Sequence, residues 1–192
     1  MEQVRSFISI DVPDELKLGL TQLEGQLKTT RQPWVKWVDP SSIHLTLKFL
    51  GSITIDRISE IIGSMEAAIQ GIPLFSLEVK DLGVFPSLRR VQVAWVKISG
   101  EVTKLSRLQQ HLESNLACLG FAAESRSFTP HLTLARLRTG ASLDDRQGFG
   151  QLIAATRFEA TYTIKVAAIN LMKSRLTREG AIYSRVGSVS LM

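Results

Sequence analysis

Two identical tetrapeptides contain the residues best suited to chemistry in this sequence. His-Leu-Thr-Leu occurs at residues 44–47 and again at 131–134, and the whole chain has only three histidines. Alternate side chains of a β-strand point to opposite faces, so each histidine shares a face with the threonine two residues later. The leucines of the other face are natural core residues. Each copy therefore predicts an imidazole and a hydroxyl on a face that core burial does not explain.

Two such pairs facing each other across a groove would suit in-line displacement of an oxygen at phosphorus. One group must take a proton from the nucleophile, and another must protonate the leaving oxygen on the opposite side. Histidine can fill both roles near neutral pH because its ordinary pKa is about 6.5. Threonine hydroxyls can donate hydrogen bonds to the non-bridging phosphate oxygens. The repeated motif therefore predicts phosphoryl chemistry by general acid–base catalysis.

A metal site is the main alternative for the two histidines. Two histidines alone make a poor zinc set, and no Asp, Glu or Cys recurs beside both copies to complete one. The third histidine, His111, lies beside the apolar stripe of a helical pattern and has no accompanying threonine. We therefore expect no metal and no cofactor, and we expect His111 to be a solvated or half-buried helix residue.

Hydrophobic periodicity predicts an α+β fold with mostly antiparallel strands. Alternation predicts strands at 5–12, 44–51, 74–85, 89–98, 131–137, 157–171 and 181–191. Helical spacing predicts helices at 13–27, 55–69, 102–119 and 142–155. Gly71 and Gly120 are expected to end the second and third helices, and Ser142 with Asp145 resembles a capping box.

The surroundings of the two tetrapeptides predict an internal duplication. Predicted helices start about 31 residues before His44 and about 30 residues before His131. The helices that follow start about 10 and about 11 residues after those histidines. Two units of helix, strand, helix and strand would explain this spacing.

The composition is that of a soluble globular domain. The chain has 44% hydrophobic residues, and its 23 Lys and Arg against 18 Asp and Glu give a net charge of +5. This excess is compatible with an anionic partner such as nucleic acid, although many basic proteins bind none. The single cysteine excludes an intramolecular disulfide. Because no apolar run approaches the roughly 18 residues of a membrane span and no signal peptide is recognisable, we expect a cytoplasmic protein.

The sequence around the repeated motif resembles the 2H phosphoesterase superfamily, and in particular bacterial and archaeal RNA 2′,3′-cyclic phosphodiesterases, also called 2′-5′ RNA ligases. Two His-x-Thr/Ser-x motifs define that superfamily, and residues 44–47 and 131–134 match them. The resemblance extends along the chain through RSFISIDVP, VKWVDPSSIHLTLKFLG, LGVFPSLRRVQVAWVKI, FTPHLTLAR and SRLTREGAIYSRV. It implies a bilobal fold in which two antiparallel sheets, with helices outside, form a V-shaped cleft with pseudo-two-fold symmetry. Residues 1–192 would then form a single bilobal domain with one half-site in each lobe.

The resemblance also implies an activity and residue roles. The expected reaction is metal-independent hydrolysis of a terminal ribose 2′,3′-cyclic phosphate to a 2′-phosphate. By position, His44 would donate a proton to the departing 3′ oxygen and His131 would activate water. Thr46, Thr133 and Arg136 would hold the phosphate. The partners implied are RNA ends, tRNA halves among them, which the family also joins through 2′-5′ bonds in the reverse direction. We expect a monomer that contacts no membrane.

Some assignments remain open from the sequence alone. Arg136 is five residues after His131, which is the wrong face of a regular strand, so it needs a bulge, a strand end or its own length to reach the phosphate. Which histidine is the acid rests on the resemblance, because the two motifs are nearly identical. Basic and aromatic residues that could contact the rest of the substrate are Arg89, Arg90, Trp34, Lys48 and Arg5.

Other functions also fit the same residues. A non-catalytic nucleotide-binding or RNA-binding module would keep the cleft and lack turnover. A related enzyme could act on small cyclic phosphates or on 2′-5′ oligonucleotides. Hydrolysis assays with defined substrates separate these alternatives.

Overall fold

The computed structural model describes residues 3–28, 32–158, 161–177 and 181–192. These residues form the helices α1 (Asp14–Leu27), α2 (Ile58–Ala68), α3 (Val102–Cys118) and α4 (Leu143–Ala155). They also form the strands β1 (Gln3–Asp11), β2 (Val35–Trp37), β3 (His44–Thr54), β4 (Phe75–Phe85), β5 (Val93–Gly100), β6 (His131–Leu137), β7 (Tyr162–Val166), β8 (Ala168–Leu176) and β9 (Ala181–Ser190). Short 3₁₀ helices precede β3 and α2, at Pro40–Ser42 and Ile55–Arg57. Within the described ranges, no helix combines the length and the apolar character needed to span a membrane.

The strands form two antiparallel sheets of matching order. Sheet A has the order β3-β1-β8-β9, and sheet B has the order β2-β6-β5-β4-β7. Apart from β2, sheet B repeats the strand order of sheet A. The strands β6, β5, β4 and β7 take the places of β3, β1, β8 and β9, in that order. The predicted α+β fold with two antiparallel sheets and an internal duplication is therefore confirmed.

Two helices, α1 and α3, connect the two halves because each crosses from one sheet to the other. α3 follows β5 of sheet B, yet it packs against α2 and against β3 of sheet A. α1 follows β1 of sheet A, yet its Gly19 lies against the ring of Tyr162 in β7 of sheet B. The inner faces of both sheets and the helices share one connected hydrophobic core. This crossing fixes the position of each sheet relative to the other.

Several element boundaries differ from the prediction. The single strand predicted at 157–171 is two strands in different sheets, β7 and β8, separated at Ala167. The buried apolar residues shift from even positions, Ile164 and Val166, to odd positions, Ile169 and Leu171. This break in the alternation at residues 167–168 is the sequence signal for the change of sheet. Gly51 does not end β3; it has a φ of +72° inside the strand, which continues to Thr54. The capping box of Ser142 and Asp145 is confirmed at the start of α4.

Candidate active site

The two tetrapeptides begin β3 and β6, and these are strands at which the two sheets approach each other. Cα atoms of β3 and β6 come within 8 Å of one another. Leu45 and Leu132 are fully buried in the core, whereas the histidines and threonines of both motifs are half-buried on the other face. The predicted separation of core leucines from a polar face is therefore confirmed in both copies.

Each imidazole is oriented by a backbone carbonyl two residues earlier in the chain. Nδ1 of His44 lies 2.8 Å from the carbonyl oxygen of Ser42, and Nδ1 of His131 lies 2.7 Å from that of Thr129. Because a carbonyl oxygen can only accept, Nδ1 must carry the proton in both neutral rings. Nε2 then has a free lone pair when the ring is neutral and a donatable proton when the ring is charged.

Aromatic rings support both imidazoles. His44 stacks on Phe7 with ring centroids 4.5 Å apart, and Tyr183 contacts it edge-on at 5.0 Å. Phe85 contacts His131 edge-on at 5.1 Å, and the tilted ring of Trp95 lies 6.0 Å from it. These contacts restrict the rotation of the imidazoles and remove them partly from water. None of these four rings was among the sequence candidates, because they come from strands distant in the chain.

Burial lowers the pKa of both histidines below the ordinary value of 6.5, and nearby charges then act in opposite directions. At His44, burial has the largest effect, while the carbonyl hydrogen bond and the charge of Asp11 raise the pKa. At His131, burial is again the largest effect, the carbonyl hydrogen bond opposes it, and Arg136 lowers the pKa further. In the strand ladders, Asp11 pairs with His44, whereas Lys97 pairs with His131. Beside the effect of burial, the neighbouring charge therefore favours the protonated form at His44 and the neutral form at His131.

A β-bulge in β6 explains how Arg136 reaches the face of His131. Ala94 pairs with Ala135 and Trp95 pairs with Thr133, so Leu134 has no partner in the β5–β6 ladder. One extra residue reverses the alternation, which brings Arg136 to the side of Thr133. Simple alternation predicts Arg136 on the face opposite to His131, and this prediction is wrong because of the bulge.

The same bulge occurs in β3 and reassigns Lys48. Leu47 has no partner in the β1–β3 ladder, because Ile8 pairs with Lys48 and Ser9 pairs with Thr46. Lys48 consequently turns towards α3 and is only 6% exposed. Its Nζ lies 2.6 Å from a carboxylate oxygen of Glu113 and 2.6 Å from the carbonyl oxygen of Ala122. The expectation that Lys48 contacts substrate is therefore corrected, since its ammonium group is buried in an ion pair.

Phe49 occupies the position in β3 that Arg136 occupies in β6, five residues after the histidine. It pairs with Phe7 in the ladder, so the bulge places it on the face of His44 and Thr46. The side chain is 64% exposed, and its ring centroid lies 6.2 Å from that of Phe7. Phe49 was not among the sequence candidates, although the offset that it shares with Arg136 is visible in the duplicated motif.

The remaining sequence candidates lie in different parts of the structure. Trp34 packs edge-on against buried Phe149 with ring centroids 5.8 Å apart. Trp34 is half-buried against the core, and its role in base stacking stays a prediction. Arg5 is exposed on β1, two residues from Phe7 on the same face. Arg89 and Arg90 are exposed in the loop between β4 and β5. His111 is half-buried as expected, with Nδ1 3.0 Å from the carbonyl oxygen of Ala68.

Other features of the described residues do not extend the histidine site. No three His, Cys, Asp or Glu side chains in the described ranges are grouped closely enough to hold a metal ion. A cavity of about 580 Å³ lies along the edge of β4, next to the end of α4. Its lining includes Lys80, Gly83 and Arg157 and neither of the two motif histidines.

Comparison with known protein families gives two matches along the chain. The model of the LigT-like phosphoesterase family matches residues 10–95 and again residues 96–183. Each matched segment contains one of the two tetrapeptides. The chain is 31% identical over 170 residues to an RNA 2′,3′-cyclic phosphodiesterase of Aeropyrum pernix, covering 88% of this chain and 93% of the relative. It is 35% identical over 153 residues to that of Aquifex aeolicus, covering 79% of each chain.

Solved structures share the fold over its whole length. The crystal structure of Escherichia coli LigT complexed with 3′-AMP matches with a TM-score of 0.78 and 23% identity, covering 99% of each chain. The structure of TT0787 of Thermus thermophilus matches with a TM-score of 0.76 and 22% identity, covering 97% of each chain. At this identity, the two structures establish the similarity of the fold alone.

Proposed function

Because this chain belongs to the LigT-like phosphoesterase family, we propose that it is an RNA 2′,3′-cyclic phosphodiesterase. It converts a terminal ribose 2′,3′-cyclic phosphate to a 2′-phosphate. One observation carries this proposal. In each of the two half-sites, an imidazole whose Nδ1 is hydrogen-bonded to a backbone carbonyl oxygen shares a face with a threonine. We treat residues 1–192 as one bilobal domain in which the two half-sites act on one phosphate.

The proposed reaction is hydrolysis by a base and an acid on opposite sides of phosphorus. Nε2 of His131 takes a proton from water as the water oxygen bonds to phosphorus. The bond from phosphorus to the 3′ oxygen breaks, and Nε2–H of His44 gives its proton to that oxygen. The products are a 2′-phosphate and a free 3′-hydroxyl.

Thr46, Thr133 and Arg136 hold the non-bridging phosphate oxygens in this mechanism. Within the described chain, the two threonine hydroxyls have no hydrogen-bond partner and the guanidinium group of Arg136 has no ion pair. All three side chains therefore retain their donors for a ligand. Donors already fixed in position stabilise negative charge that grows in the transition state. No step of this mechanism requires a metal.

The charges around the two imidazoles support the assignment of acid and base. Asp11, next to His44, favours an imidazolium that can give up a proton. Arg136, next to His131, favours the neutral ring that can accept one. The sequence alone left this choice to family resemblance, because the two tetrapeptides are identical.

The pH dependence of kcat/KM tests this assignment. Both histidine pKa values lie below 6.5, so we expect a bell-shaped profile with its optimum on the acid side of pH 6.5. Because Asp11 raises the pKa of His44, Asp11→Asn should move the alkaline limb to lower pH and leave the acid limb in place. Movement of the acid limb alone would reverse the two roles. The profile is measured with a nucleoside 2′,3′-cyclic phosphate.

Phe49 is the base-stacking residue in this proposal. Its exposed ring lies on the face of His44, and stacking on an aromatic side chain contributes about 1–3 kcal/mol per base. Phe49→Ala should therefore lower kcat/KM for a cyclic nucleotide by about 5- to 100-fold, while Phe49→Tyr should stay near wild type. Leu143→Ala, which removes an exposed apolar residue from α4, is the control. An unchanged rate in Phe49→Ala would remove base stacking from the proposal.

The substrate in the cell is RNA with a 2′,3′-cyclic phosphate end, tRNA halves included, in this proposal. In the reverse direction of this reaction, the same groups would join such an end to a 5′-hydroxyl through a 2′-5′ bond. We further propose that the enzyme is a monomer, because both half-sites come from one chain, and that it acts in the cytoplasm.

Identification of the product is the decisive experiment. The protein is incubated with an RNA oligonucleotide ending in 2′,3′-cyclic phosphate, and the new end is compared with 2′-phosphate and 3′-phosphate standards by chromatography. We expect the 2′-phosphate, at a rate that EDTA does not change. A 3′-phosphate would overturn the assigned leaving group, and an unreacted substrate would support a non-catalytic binding module.

A further inference from the structure

The active-site face is the face of each sheet that carries the histidine and threonine of its tetrapeptide. On the active-site face of sheet B, two basic side chains lie directly opposite each other on neighbouring strands. Lys36 of β2 pairs with Arg136 of β6 in the sheet B ladder. Opposed residues of antiparallel strands point to the same face, so Lys36 lies on the face of His131 and Thr133. Like charges in this arrangement destabilise a sheet in the absence of a compensating anion.

The position of Lys36 is fixed by its neighbours in β2. Val35 is 6% exposed and belongs to the core, and Trp37 packs against Phe149 with ring centroids 5.9 Å apart. The backbone N–H of Val38 donates to the carbonyl oxygen of Leu134 at 2.8 Å. Because both neighbours of Lys36 are anchored on the core, its own side chain must point to the active-site face.

No carboxylate of the described chain neutralises this pair. Neither Lys36 nor Arg136 takes part in an ion pair or a side-chain hydrogen bond among the described residues. The nearest acid in sequence, Asp39, accepts a hydrogen bond from the backbone N–H of Ser41. The free cationic pair therefore offers two binding positions for anions, and the proposed mechanism uses only Arg136.

Lys36 lies farther from the reacting phosphate than Arg136 does. It is on the next strand, about 4.8 Å beyond β6, and it is offset along the sheet from His131. A single terminal phosphate held by His131 and Thr133 is therefore served by Arg136. The next anion in a nucleic acid is the phosphodiester that precedes the terminal nucleotide.

We propose that Lys36 binds the phosphodiester preceding the cyclic phosphate, so that the site favours RNA ends over cyclic mononucleotides. This inference rests on the proposed function of the histidine site. It makes Lys36 a specificity-determining residue, because a mononucleotide has no phosphate to place there.

The test compares two substrates that differ only in this phosphodiester. A nucleoside 2′,3′-cyclic phosphate and a short RNA oligonucleotide ending in the same cyclic nucleotide are hydrolysed by wild type, Lys36→Gln and Lys36→Arg. We expect Lys36→Gln to lower kcat/KM about 5- to 20-fold on the oligonucleotide and less than about 2-fold on the mononucleotide. Lys36→Arg keeps the charge and should retain the preference.

Salt dependence gives a second readout that loss of structure would not imitate. On a single strand, each phosphate contact contributes about 0.7 to the slope of log affinity against log salt concentration. Lys36→Gln should reduce that slope by about 0.7 on the oligonucleotide. The matched control is Lys165→Gln, an exposed lysine on the same face of sheet B in the opposite edge strand, β7. We expect Lys165→Gln to leave kcat/KM and the salt slope unchanged on both substrates.

Three outcomes would overturn the inference. Equal losses on both substrates would assign Lys36 to the terminal phosphate. An unchanged rate and salt slope on the oligonucleotide would remove Lys36 from the binding surface. The same losses in Lys165→Gln would indicate a general effect of positive charge. A wild-type protein that hydrolyses neither substrate would instead refute the proposed function.

Discussion

Replacing His131 with alanine should lower kcat/KM for a nucleoside 2′,3′-cyclic phosphate by about 10²–10⁴-fold. In the proposed mechanism the variant loses the base that takes the proton from water, and no other imidazole in the described chain lies on that face of β6. His44→Ala should cause a loss of the same order, because the departing 3′ oxygen then leaves without a proton. Both histidines are half-buried at the start of a strand, so circular dichroism should remain that of the folded protein.

His111→Ala is the matched control for both variants. This histidine also has Nδ1 against a backbone carbonyl, but it lies in α3 away from the two tetrapeptides. The kcat/KM of His111→Ala should stay near that of the wild type. Full activity in either His44→Ala or His131→Ala would refute the two-histidine mechanism.

A phosphodiester with a 4-nitrophenolate leaving group separates the acid from the base. Such a leaving group departs without protonation, so the loss in His44→Ala should shrink on this substrate. The loss in His131→Ala should persist, because water must still be activated. The opposite pattern would exchange the two roles.

Glu113→Ala should lower the stability of the protein more than any other single substitution proposed above. Its carboxylate pairs with the ammonium group of Lys48, whose side chain is only 5% exposed. Breaking a buried ion pair by removing one partner costs about 3–5 kcal/mol, because a charge remains buried without compensation. We therefore expect Glu113→Ala to lower the free energy of unfolding by that amount, measured by urea denaturation.

The double variant Lys48→Met with Glu113→Leu tests the cause of this loss. It removes both charges and keeps the apolar volume, so most of the stability should return. Because the ammonium group of Lys48 is directed away from the active-site face, kcat/KM should also stay near wild type. A folded double variant that had lost activity would restore Lys48 as a substrate contact. Glu60→Ala, in an exposed ion pair with Arg57, is the control and should cost less than about 1 kcal/mol.

The sequence predicted the features that depend on repetition and alternation. Two copies of His-Leu-Thr-Leu with matched spacing were enough to predict a duplicated α+β fold. The period of two along a strand was enough to place both leucines of each copy in the core and both polar residues on the other face. These predictions hold because they involve residues close together in the chain.

The tertiary structure decided the positions that depend on how strands pair. The unpaired Leu47 and Leu134 reverse the alternation in β3 and β6. This brings Arg136 and Phe49 to the active-site face and turns Lys48 into the protein. A bulge depends on the register of two strands distant in sequence, so periodicity in one strand does not reveal it.

Neighbours from distant strands also give the two identical tetrapeptides different electrostatic surroundings. His44 stands beside Asp11 of β1, and His131 stands beside Lys97 of β5 and Arg136. The sequence by itself determined that there are two imidazoles of the same local design. Only the tertiary structure decided which charge lies next to each, and the pKa of an imidazole depends on that charge.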